Sequence, residues 1–151
     1  MATTVTATTL TVNIQESITL NGVTYDKTTT KSIANVANYH SRVLQLKAST
    51  THNVISFATD PTNGNFDSDD FKYMRLTNLD DTNAIQLNLT DASDATVAIE
   101  IGAGNSFTLF DTSIDGNDTG AAITTTPHTL ERVQVVTPSA EVDVEIVVAT
   151  V

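Results

Sequence analysis

The sequence predicts an all-β protein, an antiparallel β-sandwich of jelly-roll type in a single domain. Threonine and valine, which favour strands, occur 28 and 15 times among the 151 residues. Apolar and polar residues alternate along several segments, as is typical of strands with one buried face. Turn-forming residues separate these segments at intervals of about 8–12 residues, the spacing expected of a sandwich or a barrel.

The chain opens with a β-prone stretch, 1–9, that is rich in threonine and carries no charged side chain. Its apolar residues fall at odd positions, Val5 and Ala7, whereas the apolar phase is even from Leu10 onward. Such a change of phase predicts a β-bulge or a break. We therefore divide the chain into an N-terminal arm, 1–9, and one sandwich domain, 10–151. The arm is interpreted either as a frayed terminus or as a strand that adds to a neighbouring protein.

Eleven segments are predicted to be strands. They are 5–14, 17–20, 23–31, 41–48, 53–59, 71–78, 84–90, 96–101, 106–110, 130–137 and 141–150. Asn21-Gly22 is predicted to join the second and third as a two-residue hairpin turn, because both residues accept a positive φ. A short helix over 33–44 is the alternative for that region, since Ile33, Val36 and His40 follow a period of 3.6 residues.

The alternation also predicts which side chains form the core. The inward residues are expected to be Leu87, Leu89, Ile99, Ile101, Phe107, Leu109, Val133, Val144 and Ile146. Three long loops are expected at 60–70, 111–118 and 119–129.

Charge and composition exclude several kinds of partner. Eighteen acidic and seven scattered basic residues give a net charge of −11. Nucleic acids and anionic membranes need clustered basic residues, so neither is an expected partner. The absence of cysteine removes disulfides and thiolate chemistry. The N-terminus lacks the features of a signal peptide, and no apolar run approaches the roughly 20 residues of a membrane-spanning helix.

One short motif resembles a catalytic sequence. Asp118-Thr119-Gly120 matches the nucleophile motif of retroviral-type aspartic proteases, in which two aspartates share a proton. That motif normally follows a buried apolar strand, whereas here it follows the polar stretch Asp115-Gly116-Asn117. We interpret it as part of a loop and predict that the protein is not an enzyme.

Two acidic loops raise the question of a cation site. Oxygen-bearing side chains occur at Asp60, Asn63, Asn65, Asp67, Asp69 and Asp70, and again at Asp111, Asp115 and Asp118. The first loop lacks the central glycine and terminal glutamate of a calcium loop. His128 and Glu131 match no complete metal motif. We assign no catalytic, cofactor-binding or metal-binding residue, and cation binding by the two loops stays open.

The stretch from Phe71 to Leu109 resembles small β-sandwich virion proteins of tailed bacteriophages, including head decoration (cement) proteins. The residues that carry the resemblance are Tyr73, Asn78, Asp80, Thr82, Asn83, Gly104, Ser106 and Phe107. They are of structural rather than chemical types: the side-chain oxygens of Asn78 to Asn83 are expected to hold a tight turn, and Gly104 to supply a positive φ.

The resemblance implies a non-enzymatic virion structural protein. Its leading form is a capsid decoration protein, made in the host cytoplasm, that binds the major capsid protein on the outside of the assembled head and stabilises it. The resemblance also implies a homo-oligomer, with a trimer as the expected state. The alternatives are a tail, neck or fibre component of a phage and a carbohydrate-binding β-sandwich module. No cofactor is expected.

Overall fold

A computed structural model describes residues 5–59, 64–110, 113–114 and 128–151. The described residues contain twelve strands and no helix. The strands are β1 (Thr8–Leu20), β2 (Val23–Val36), β3 (Asn38–Leu46), β4 (Thr51–Ala58), β5 (Phe66–Asp67), β6 (Phe71–Asn78), β7 (Ile85–Asp91), β8 (Thr96–Ile101), β9 (Ser106–Leu109), β10 (Ser113–Ile114), β11 (His128–Val136) and β12 (Val142–Thr150). The chain divides into two compact units between Asn38 and Tyr39.

The second unit is a β-sandwich with jelly-roll topology. Eight of its strands form two sheets, ordered β3-β12-β6-β9 and β4-β11-β7-β8. Numbered along the chain, these orders read 1-8-3-6 and 2-7-4-5, the pattern that two interlocked Greek keys produce. β5 extends the second sheet beside β4, and β10 pairs with β11. The predicted fold class is therefore confirmed.

The core lies between these sheets and follows from the alternation along each strand. In β7, Leu87 is fully buried, and its cross-strand partners are Val135 in β11 and Ile99 in β8. Six of the nine predicted core residues are buried: Leu87, Leu89, Ile101, Val133, Val144 and Ile146. The other three, Ile99, Phe107 and Leu109, are partly buried and pack against the core.

The first unit is the hairpin of β1 and β2, which the sequence analysis had treated as the opening strands of the sandwich. β1 and β2 form a two-stranded sheet of their own, and no other strand of the described residues is hydrogen-bonded to them. The predicted break between 14 and 17 is absent, because β1 is continuous. The alternative helix over 33–44 is absent too, since strands cover this range on both sides of Ala37.

Candidate interaction surface

The hairpin unit owes its register to a tight turn. Asn21 and Gly22 have φ angles of 50° and 79°, the left-handed values that a two-residue hairpin turn requires. From this turn the strands pair continuously, from Leu20 opposite Val23 to Leu10 opposite Ile33. The register shifts between Thr8 and Leu10, which confirms the irregularity predicted from the change of apolar phase.

Alternation along both strands gives the hairpin two unlike faces. The apolar face carries Leu10, Val12, Ile14, Glu16, Ile18 and Leu20 from β1, with Val23, Tyr25, Lys27, Thr29, Lys31 and Ile33 from β2. The polar face carries Thr11, Asn13, Gln15, Ser17 and Thr19 from β1, with Thr24, Asp26, Thr28, Thr30 and Ser32 from β2. Every member of the polar face has a hydrogen-bonding side chain.

The polar face satisfies itself through cross-strand hydrogen bonds. The Ser17 hydroxyl donates to the Asp26 carboxylate at 2.5 Å. Thr19 and Thr24 share a hydroxyl–hydroxyl bond of 3.0 Å. The Thr30 hydroxyl donates to the Asn13 side-chain oxygen at 2.8 Å. Each bond joins directly opposed residues, so this face reinforces the register of the hairpin.

The apolar face is buried near its base and exposed toward its tip. Ile33 is buried, and Leu10 and Val12 are partly buried. Five large side chains nearer the turn are between 47% and 58% exposed: Ile14, Ile18, Leu20, Val23 and Tyr25. Ile18, Leu20, Val23 and Tyr25 are neighbours on this face, and exposed groups of apolar side chains are typical of protein–protein contact sites.

The net charge of the chain is distributed unevenly between the two units. Residues 1–38 contain two acidic and two basic side chains, Glu16, Asp26, Lys27 and Lys31, and so carry no net charge. The remaining residues contain 16 acidic and 5 basic side chains and hold the whole net charge of −11. The hairpin therefore adds no net charge of its own to a contact between copies, whereas the rest of the chain would add like charges.

The residues that carry the phage-protein resemblance form a structural cluster in the sandwich. Asn78 is fully buried, and its side-chain amide donates to the carbonyls of Asn83, Ile101 and Gly102 at 2.8 to 3.2 Å. Its side-chain oxygen accepts from the Asp80 amide at 3.1 Å. One buried side chain thus ties the loop after β6 to the end of β8.

Asp80 and Gly104 complete this cluster. The Asp80 carboxylate accepts hydrogen bonds from the backbone amides of Asn83 and Thr82, and these lower its pKa. The Gly104 amide donates to the Asp80 carbonyl at 3.0 Å, and its φ of 70° confirms the predicted positive value. The Ser106 and Thr77 hydroxyls lie 2.8 Å apart. Each contact is an internal hydrogen bond, so these residues hold turns, as the sequence analysis expected.

The chemical motifs found in the sequence are only partly visible. Asp118-Thr119-Gly120 and most of the 111–118 loop lie outside the described residues, as do residues 60–63 of the first acidic loop. Within 64–70, the Asp67 carboxylate accepts from the Asp69 backbone amide at 2.9 Å. Glu131 pairs with Arg132 at 2.9 Å.

No metal-binding group of histidine or carboxylate side chains occurs among the described residues. In the same part of the chain, no helix has the length and hydrophobicity to cross a membrane.

The apolar face of the hairpin was missed by the sequence analysis. Its signal is the alternation of 10–20 and 23–33 around Asn21-Gly22, which defines the two faces of a hairpin but does not show that the apolar one is exposed.

No family model matches the chain, and no curated protein is detectably similar to it. Among solved structures, the chain is similar to a protein from work described as "Bacillus endospore appendages form a novel family of disulfide-linked pili". The TM-score is 0.42 and the sequence identity 10%, over 97% of this chain and 91% of that one. A likeness at this level supports no conclusion on function.

Proposed function

We propose that the protein is a non-enzymatic structural component of a virion that acts by assembling with other proteins through its hairpin unit. The observation that carries this proposal is the apolar face, whose five large side chains near the turn are about half exposed. A two-stranded sheet cannot bury its own face, so these side chains lose contact with water when a second layer of protein packs on them.

Two features support a role in assembly over one in ligand chemistry. The polar face is hydrogen-bonded within the hairpin, so the two faces have separate tasks: one fixes the register and the other is free to bind. The turn residues that could have marked a site in the sandwich, Asn78 and Asp80, direct their side chains to backbone groups.

The virion setting comes from the resemblance of residues 71–109 to small β-sandwich phage proteins. In its leading form the protein decorates the exterior of a phage head and binds the major capsid protein. A decoration protein that binds only the assembled shell makes disassembly harder by mass action. Jelly-roll sandwiches are common in viral capsid proteins, which supports this setting.

The proposal is tested by binding to purified phage particles of the source virus. The test variant is Ile18→Thr/Leu20→Thr, which makes the hairpin tip polar with a β-branched residue of high strand propensity at both positions. The control is Ser17→Thr/Thr19→Ser, which alters the polar face of the same segment and keeps both hydroxyls. We expect the wild type and the control to co-sediment with expanded heads and to raise the temperature of head disruption. The test variant should bind at least tenfold more weakly.

Three results would contradict parts of the proposal. Equal binding by both variants would remove the hairpin from the contact. Wild-type protein found only in tails would replace head decoration with the tail, neck or fibre role. Peptide cleavage at acid pH that disappears in Asp118→Asn would overturn the non-enzymatic assignment.

The N-terminal arm is tested separately, because only its residues 5–9 are described. Deletion of residues 2–9 should leave a folded protein that decorates heads poorly if the arm adds as a strand to the shell. Full occupancy and full protection from heat by the truncated protein would identify the arm as a frayed terminus.

A further inference from the structure

We propose that the apolar face of the hairpin packs against the same face of a second copy, in a cyclic assembly whose axis runs along the hairpin. In this arrangement Glu16 of each copy meets the partner's Lys27. The inference rests on the proposed function only in taking the hairpin as the assembling element, and it names the occupant of the exposed face.

Glu16 and Lys27 lie directly opposite each other in the middle of the apolar face. Apart from Lys31, which lies nearer the base opposite Val12, they are its only charged side chains. In the part of the chain that the structure describes, they form no ion pair within 4.0 Å. Charges in the middle of a buried apolar contact need partners, and neither finds one within its own hairpin.

The direction of the symmetry axis determines which residues meet across the contact. With a rotation axis parallel to the strands, β1 of one copy lies over β2 of the next. Each cross-strand pair of residues then lies level with the same pair of the other copy. Glu16 then meets the partner's Lys27, and Ile18 meets the partner's Tyr25. An axis that crosses the strands at the level of Glu16 and Lys27 would instead place Glu16 on the partner's Glu16, a like-charge contact. The pairing along the parallel axis holds for any closed ring, because every interface of a cyclic assembly is equivalent.

The net charge of each unit indicates where copies meet, and the exposed apolar area indicates how strongly they associate. The hairpin is neutral whereas the rest of the chain is strongly acidic, so contact between copies is least opposed at the hairpin. The exposed side chains present on the order of 500 Å² of apolar surface per copy. Two copies would bury about 1,000 Å² in total, less than the roughly 1,200–2,000 Å² of stable specific interfaces and typical of weak, transient contacts. We therefore expect reversible association that depends on protein concentration.

Sedimentation velocity of the purified protein over a range of concentrations, without phage particles, tests the inference. The wild type should show a reversible oligomer. Glu16→Lys and Lys27→Glu should each weaken association at least tenfold, because each places like charges across every interface. The matched control is Lys31→Glu, which changes the charge of the same face by the same amount. Since Lys31 lies opposite Val12, the control should weaken association less than threefold.

Mixing the two single variants provides the decisive measurement. In a Glu16→Lys chain paired with a Lys27→Glu chain, every contact between chains regains opposite charges. The pair within each hairpin stays like-charged, so recovered association arises only between chains. A two-fold assembly should recover fully, and a three-fold ring in part because one of its contacts stays like-charged. The double variant Glu16→Lys/Lys27→Glu should recover in either symmetry.

The inference is overturned if the wild type stays monomeric at all concentrations, or if the mixture associates no better than each variant alone. Its failure is distinguishable from failure of the proposed function. A monomeric wild type whose binding to heads is abolished by Ile18→Thr/Leu20→Thr would place a shell protein on the apolar face, and the assembly role would stand.

Discussion

The sandwich buries the apolar side chains of its central strands, whereas the hairpin leaves much of its apolar face exposed. Leu87, Val133 and Val144 are fully buried in the sandwich, and Ile18 and Tyr25 of the hairpin are more than half exposed. Both units show the same alternation of apolar and polar residues. Alternation therefore defines the two faces of a strand but does not identify what packs on them, because a face becomes part of a core only when a second layer covers it.

The largest expected effect is a loss of stability in the sandwich. Leu87→Ala removes a fully buried side chain from the centre of the sheet and should lower the free energy of unfolding by about 2–5 kcal/mol. Ile18→Ala truncates a half-exposed side chain and should lower it by less than about 1 kcal/mol. Denaturant unfolding of both variants measures the difference. Equal losses would mean that the hairpin is as tightly packed as the sandwich.

A second variant tests the polar cluster at the end of β6. Asn78→Ala removes the side chain that bonds three backbone carbonyls and the Asp80 amide, and should cost about 2–3 kcal/mol. Asn78→Asp keeps the acceptor but loses the amide donors, and so should be no more stable than Asn78→Ala. The same unfolding experiment serves. A cost below about 0.5 kcal/mol for Asn78→Ala would show that water replaces these bonds freely.

A smaller effect should be confined to the hairpin. Gly22→Ala meets no neighbouring atom within 4 Å, so its cost comes from placing a Cβ at a φ of +79° and should be about 1 kcal/mol. Hydrogen exchange of the amides in 8–36 should accelerate, while those of β7 and β11 keep their protection. Asn21→Gly is the control, because glycine accepts the φ of 50° and should leave the hairpin intact. Unchanged exchange in Gly22→Ala would contradict the assigned turn.

The smallest effect concerns pH. Hydrogen bonds from Asn83 and Thr82 lower the pKa of Asp80 in the folded protein. Its contribution to stability is therefore fully present above the pKa of the unfolded state, about 3.9, and is lost as the pH falls through the lower folded value. Unfolding measured between pH 7 and pH 2.5 should show this loss, and Asp80→Asn should reduce the pH dependence below pH 4. An unchanged dependence would assign the acid sensitivity to other carboxylates.

Much of the fold could be predicted from the sequence because local rules and packing agree in the sandwich. Val142, Val144 and Ile146 alternate with polar residues and are buried as the period of two requires. Asn21-Gly22 specified its turn without any packing, because both residues accept the positive φ that a two-residue hairpin turn requires. The order of the strands in each sheet could not be predicted, because pairings such as Leu87 with Val135 join residues far apart in the chain.

The exposed face escaped prediction for a different reason. Ile14, Ile18 and Leu20 have the same spacing as the buried residues of β7, and a sequence pattern does not record how many layers surround a strand. The charges at Glu16 and Lys27 were the available clue. Opposite charges at facing positions in the middle of a mostly apolar face are unusual for a core strand and typical of a surface that selects its partners.

The unpaired outer edges of the two-stranded sheet bring a hazard of aggregation. β1 and β2 each have one edge that is not hydrogen-bonded to another strand of the described chain, along 13 and 14 residues that are rich in threonine and β-branched side chains. Long free edges of this composition recruit further strands and promote fibre formation. The four charges of the hairpin interrupt both strands and act as gatekeepers against such stacking. Storage at high salt, which screens these charges, is therefore the condition under which the protein should first form fibres.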